Sequence, residues 1–172
     1  SLLEPLLLLL MGSMVLLILA LGGLAGLATY RWWSHISTPT QELRRAIIKQ
    51  EFVPYLQPIV VSQSGQLHGC EVLMRWQNHR QGLIRPDLFI PLAEESGLII
   101  LMTQTLMQQV RLQFAPHAAA LPPRFHFSFN ICARHCQQLS LLDDCRSFLA
   151  AFTANPITLV LELTERELIT PN

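Results

Sequence analysis

Hydrophobic and polar positions divide the chain into three parts. From Leu6 to Thr29 no residue carries a charge, and the run is long enough to cross a hydrocarbon core about 30 Å thick. From Gln41 to Gln50, Leu43, Ala46 and Ile47 recur at helical spacing, which predicts a short amphipathic helix. Beyond Glu51, strand-like and helix-like patterns alternate. "VPYLQPIVV" (53–61) predicts a strand, and the "SQSG" turn sends the next strand, near Leu67 to Trp76, back antiparallel to it. A helical region starts near Pro86 and breaks at "ESG" before Leu98 to Phe114. "PPRFHFSFNI" then alternates cleanly, with Phe125, Phe127, Phe129 and Ile131 on one face and His126, Ser128 and Asn130 on the other. A second helical region covers roughly 133–154, and "NPITLVLELTE" supplies a last strand. After the opening hairpin the order is strand, helix, strand, helix, strand, which predicts a parallel sheet with helices packed outside.

The apolar run also fits a buried core helix or a signal peptide. A core helix of that length would carry a polar stripe, and a signal peptide would carry a basic leader, whereas Glu4 precedes this run and Arg31 follows it. A membrane helix over residues 1–30 is therefore expected. Arg31, Arg44, Arg45 and Lys49 downstream place the remainder in the cytoplasm, and "YRWW" puts aromatic side chains at the interface. Gly22 and Gly26 have the GxxxG spacing that lets two such helices approach, so a homodimer is one expectation. Residues 31–50 form the juxtamembrane linker and helix, and a folded domain starts near Glu51 and runs to 172.

Composition adds mainly exclusions. Half of the chain, 51%, is hydrophobic, and 12 basic residues balance 12 acidic ones, so no net field draws a nucleic acid polymer. Cys70, Cys132, Cys136 and Cys145 all fall on the cytoplasmic side and are expected as reduced core residues. Cys132, His135 and Cys136 lack the fourth ligand that a zinc site requires.

The few charges within strands carry the chemistry. Glu71, Leu73 and Arg75 share one face of their strand, and Tyr55, Gln57 and Ile59 share one face of theirs; Asn130 stands opposite the Phe row and Glu162 opposite a Leu row. In a closed α/β barrel such side chains point inward near the carboxyl-terminal rim. Two carboxylates and a carboxamide are hard oxygen donors suited to Mg²⁺ or Mn²⁺, and Arg75 could hold a phosphate in bidentate fashion. The bland alternative is a pair of internal ion pairs, Glu71 with Arg75 and Glu162 with Arg166.

From about residue 45 onward the chain resembles the EAL domain of bacterial cyclic di-GMP phosphodiesterases. The stretches "EFVPYLQPIV", "GCEVLMRW", "FIPLAEESGLI", "FSFNI" and "LELTE" match in order. The membrane helix followed by "STPTQELRRAIIKQEFVPYLQPIV" is most similar to the branch with a periplasmic Cys-Ser-Ser sensor. The resemblance implies a (βα)8 TIM-type barrel with an antiparallel first strand, in a protein of the bacterial inner membrane that hydrolyses cyclic di-GMP to linear pGpG with two Mg²⁺ or Mn²⁺ ions. It implies Glu71, Asn130 and Glu162 as metal ligands, Glu71 among the catalytic groups, and Gln57, Leu73 and Arg75 as substrate-binding positions. Glu165 resembles a residue that supports a neighbouring loop.

Two departures qualify these expectations. Val72 replaces the signature Ala, adding volume on the face opposite Glu71. The chain also ends at Asn172, ahead of the family's Asp-Asp pair, Lys and later Glu and Gln, so the barrel is expected to be incomplete and this chain inactive by itself. The competing expectation is a degenerate remnant that only binds cyclic di-GMP or a protein partner.

Overall fold

The computed structural model describes residues 3–34 and 38–163. It contains two compact units, residues 1–38 and 39–172. The first is a single helix, α1 (Leu3–Ser34). Its segment Met11–Thr29 has a mean hydropathy of 2.1 and is the one stretch among the described residues long and apolar enough to cross a membrane. Side chains such as Leu16, Leu19 and Leu24 lie bare along it, the apolar surface expected of a candidate membrane span.

The second unit opens with α2 (Pro39–Ile48), which buries Leu43 and Ala46 in a cluster with Phe52, Trp76, Phe89 and Met102. The connector helix is thus packed into the same unit as the sheet. Behind it, Glu51 is buried, and its Oε2 accepts hydrogen bonds from the Trp76 indole at 2.9 Å and the Asn78 amide at 3.2 Å. A buried carboxylate without such donors would be costly.

Strands β1 (Phe52–Val60) and β2 (Leu67–Asn78) form the expected antiparallel hairpin, with Phe52 opposite Trp76 and Gln57 opposite Glu71. Pro54 and Pro58 cannot donate to a ladder, which suits β1 to the sheet edge it occupies. A short strand absent from the sequence reading, β3 (Gly82–Ile84), folds back on the end of β2. Asn78 Oδ1 makes that turn by accepting the N–H groups of Arg80 and Gln81, and Gly82 takes the positive φ of 76°.

Helices α3 (Pro86–Glu95) and α4 (Leu98–Phe114) follow, broken at Gly97 with φ 74° as the "ESG" stretch suggested. A turn of 3₁₀ helix leads into β4 (His126–Ile131). The second helical region is split, with α5 (Ala133–Cys136) and α6 (Ser140–Ala150) separated by a turn at 137–139. Strand β5 (Thr158–Leu163) completes the sheet. The long strands lie in the order β1-β2-β4-β5; β2, β4 and β5 are mutually parallel and the first strand is antiparallel. The architecture is α/β, an incomplete TIM-type barrel wall backed by helices.

Phe127 sits at the centre of the layer between sheet and helices. It is fully buried, with the rings of Phe125, Phe114, Phe152 and Phe148 at centroid distances of 4.9, 5.4, 5.6 and 5.7 Å. Each such ring pair adds about 0.5–1.5 kcal/mol beyond burial. Cys70, Val72, Phe129, Leu106 and Val110 complete this core, and burial raises the Cys70 thiol pKa to about 11.

Two substitutions test this frame. Gly69 lies so close to His126 that an added Cβ would stand 2.6 Å from both its Cβ and its carbonyl oxygen; Gly69→Ala should therefore destabilise the unit by about 1–3 kcal/mol, read as a lower urea midpoint by near-UV circular dichroism. Glu51→Leu should leave the Trp76 N–H unpaired and cost about 1–3 kcal/mol in the same measurement.

Candidate functional site

The parallel register between β2 and β4 sets the site. Cys70 pairs with Phe127 and Val72 with Phe129, so this helix-facing row forces Glu71, which pairs with Ser128, onto the opposite face. Gln57 pairs with Glu71 from the other side. One step toward the carboxyl end, Asn130 pairs with Glu162. Gln57, Glu71, Asn130 and Glu162 thus share one face of the sheet across four strands.

Two of them touch. Asn130 Nδ2 donates to Glu71 Oε1 at 2.8 Å. This fixes the amide plane and leaves Asn130 Oδ1 available on its other side. Glu71 is half-buried, whereas Asn130, Glu162 and Gln57 are exposed. For Gln57 and Glu162 the structure gives register placement without a direct contact to Glu71.

Arg75 does not pair with Glu71. Its Nη1 donates to the Met74 carbonyl at 2.9 Å, and the guanidinium carbon lies 5.9 Å from the centroid of the Tyr55 ring, within cation–π range. The ion pairs among the described residues are Arg85 with Asp87 and Arg146 with Asp143, both exposed. The internal ion-pair alternative for Glu71 and Arg75 is therefore not what the structure shows. Arg166 and Glu165 lie outside the described residues.

A cavity of about 320 Å³ opens at the carboxyl ends of β2 and β4, beneath α3 and α4. Leu73, Arg75 and Asn130 line it; of the four residues on the sheet face, Asn130 alone does so. Asp87, Glu94, Thr103 and His135 line it too, and pattern reading did not single out the first three for this site. A signal was present for two of them: Asp87, Ile90 and Glu94 recur at helical spacing, and all three face the cavity.

The Cys132, His135 and Cys136 trio has a structural use. Cys132 and His135 cap α5 against each other, while Cys136 is exposed. Burial, then the neighbouring Asp144, raises the Cys145 pKa. The sheet face therefore offers oxygen donors, with a guanidinium at its margin. Such a set suits a hard divalent cation and a phosphate ester rather than a thiophilic metal.

Known proteins resemble this chain in sequence and in fold. The family model described as the EAL domain matches residues 40–172. The probable cyclic di-GMP phosphodiesterase PdeG of Escherichia coli K12 is 43% identical over 155 residues, covering 90% of this chain and 31% of that protein. The cyclic di-GMP phosphodiesterase PdeL of the same organism is 42% identical over 134 residues, covering 78% of this chain and 37% of that protein. The solved cyclic di-GMP complex of the phosphodiesterase PaMucR superposes with a TM-score of 0.66 at 29% identity, covering 76% of this chain and 53% of that one. The chain thus spans about a third of the length of these curated relatives. With the family match beginning inside α2 and running through every strand of the sheet, this chain belongs to the EAL domain family.

Proposed function

We propose that the sheet face is the amino-terminal wall of a metal-dependent cyclic di-GMP phosphodiesterase site. The Asn130 to Glu71 contact at 2.8 Å carries the reading, because it joins two adjacent strands through oxygen-bearing groups at a barrel rim. Glu71, Asn130 Oδ1 and Glu162 would hold Mg²⁺ or Mn²⁺; the donor set is all oxygen, as these ions require. A bound metal would lower the pKa of a water and offset charge growing on the phosphate.

The remaining roles fall to this chain's own side chains. Arg75, held by only a neutral carbonyl and an aromatic face, can swing to a phosphate without breaking an ion pair. Leu73 supplies apolar surface beside it, and Gln57 supplies an amide opposite Glu71. Glu165 would support the loop after β5.

The α1 span would anchor the unit in a bacterial inner membrane, with the arginines after it in the cytoplasm. Gly22 and Gly26 are open to a close approach by a second copy of the helix, which is how a homodimer would form.

Calorimetric titration of the chain with cyclic di-GMP and Mg²⁺ tests the reading. Saturable binding is expected, and Arg75→Ala should weaken it about tenfold or more, the scale of one charge-assisted hydrogen bond. Absence of heat with the unsubstituted chain would end the proposal. Chromatography of the same mixture should show no pGpG from this chain alone. Product that disappears with Glu71→Ala would show that the chain hydrolyses as well as binds.

A further inference from the structure

The Cys132 and His135 pair lies just past the strand that carries Asn130, and the metal and phosphate roles above do not use it. Cys132 is the N-cap of α5, in extended conformation with φ −113° and ψ 169°. The His135 backbone N–H donates to the Cys132 carbonyl at 3.0 Å and faces the Cys132 side chain, and His135 Nδ1 accepts the Cys132 backbone N–H at 3.1 Å. Nδ1 also lies 3.2 Å from Cys132 Sγ. This is a capping box built from Cys and His in place of Ser and Glu.

Two features set it apart from a solvated cap. His135 is only 2% exposed, so its ring is packed into the layer behind the site. An Nδ1 that accepts from a backbone N–H must also keep its lone pair, which makes the ring neutral with its proton on Nε2. Nε2 is buried without a hydrogen-bond partner. Burial pushes the His135 pKa below the ordinary histidine value, against the smaller opposing pull of the Cys132 and Ile99 backbones. The charged groups that share its two flanking cavities are Arg75 of β2, Asp87 and Glu94 of α3, and Asp144 of α6.

We infer that His135 is a positioning residue for this site, its Nδ1 acceptor holding the turn that ends β4 and, through that turn, the orientation of Asn130 toward Glu71. The inference rests on the metal reading of Glu71, Asn130 and Glu162. Only Ile131 separates Asn130 from the N–H that His135 holds, so a released turn would let the strand end rotate. A protonated ring would set N–H against N–H and release it. Outer partners of this kind typically change metal affinity about 10–100-fold when removed.

The test uses Mn²⁺ alone, with the unbound ion followed by electron paramagnetic resonance, on the full chain in detergent micelles. His135→Asn keeps an acceptor near the Nδ1 position and cannot titrate, whereas His135→Leu has nearly the same shape without an acceptor. The Asn variant should bind Mn²⁺ within about twofold of the unsubstituted chain, and the Leu variant about tenfold more weakly. Between about pH 8 and about pH 5 the unsubstituted chain should lose affinity more steeply than the Asn variant. Leu binding like His, Asn binding as weakly as Leu, or identical pH profiles for His and Asn would overturn the inference. Circular dichroism shows whether the Leu variant folds; if it does not, the affinity and pH profile of the Asn variant decide alone. An unsubstituted chain that binds no Mn²⁺ would defeat the metal reading first, and the inference with it.

Discussion

The structure depends on one parallel pairing, Cys70, Glu71 and Val72 of β2 against Phe127, Ser128 and Phe129 of β4. Side chains alternate along both strands, so the placement of one row fixes the other. Phe127 and Phe129 must join the rings of Phe148 and Phe152 to be removed from water. Once they do, Glu71 and Asn130 have only the opposite face. A slip of one residue would bury a carboxylate among phenylalanines, where its desolvation would cost several kcal/mol. The aromatic core therefore enforces the geometry of the polar face without touching it.

The same logic explains how much of the fold was legible. Alternation in 125–131 and in 67–76, the turn at "SQSG" and the break at "ESG" are local signals, and each led to the element that formed. Strand β3 was not legible, because three residues carry no period and its turn rests on the Asn78 side chain. The helical pattern of 133–154 gave no warning that the chain would cap at Cys132 and restart at Ser140. In α2 the helical face was readable but its burial against Phe52 and Phe89 was not, since that depends on contacts distant in sequence.

The candidate site was legible where strand geometry sufficed and opaque where helices contribute. The strand faces of Glu71, Asn130 and Glu162 followed from period-two counting, their roles only from the family resemblance, and the register places them on one face. Arg75 was expected beside a phosphate or paired with Glu71. Its resting place over Tyr55 depends on diagonal reach across a hairpin, which spacing does not encode. Asp87, Glu94 and Thr103 needed the packing angle of α3 and α4 over the sheet before they could be seen to share a cavity with Leu73. Val72, in place of the family's alanine, takes its extra volume into the helix-side core and is almost wholly buried there. Its cost falls on packing, and the face that bears Glu71 keeps its shape.

Two glutamates of the hairpin, Glu51 just before β1 and Glu71 within β2, show two uses of an acid in a charge-poor chain. A carboxylate offers about four acceptor positions. Glu51 spends its Oε2 on the Trp76 indole and the Asn78 amide, and its backbone carbonyl accepts the N–H of Gln77 at 2.7 Å. It is closed off from solvent and ties the start of β1 to the end of β2. Glu71 receives one side-chain donor, from Asn130, and remains half-buried with acceptor capacity to spare. Structural work would favour more donors at Glu71, as at Glu51, because each unfilled acceptor in a partly dry site is destabilising. Its neighbours on that face, held in register by the sheet, are Ser128, Gln57, Asn130 and Glu162, and among the described residues Asn130 is the one bonded to it. On the proposed reading, a cation held by Glu71, Asn130 and Glu162 would fill the acceptor positions that protein donors fill at Glu51.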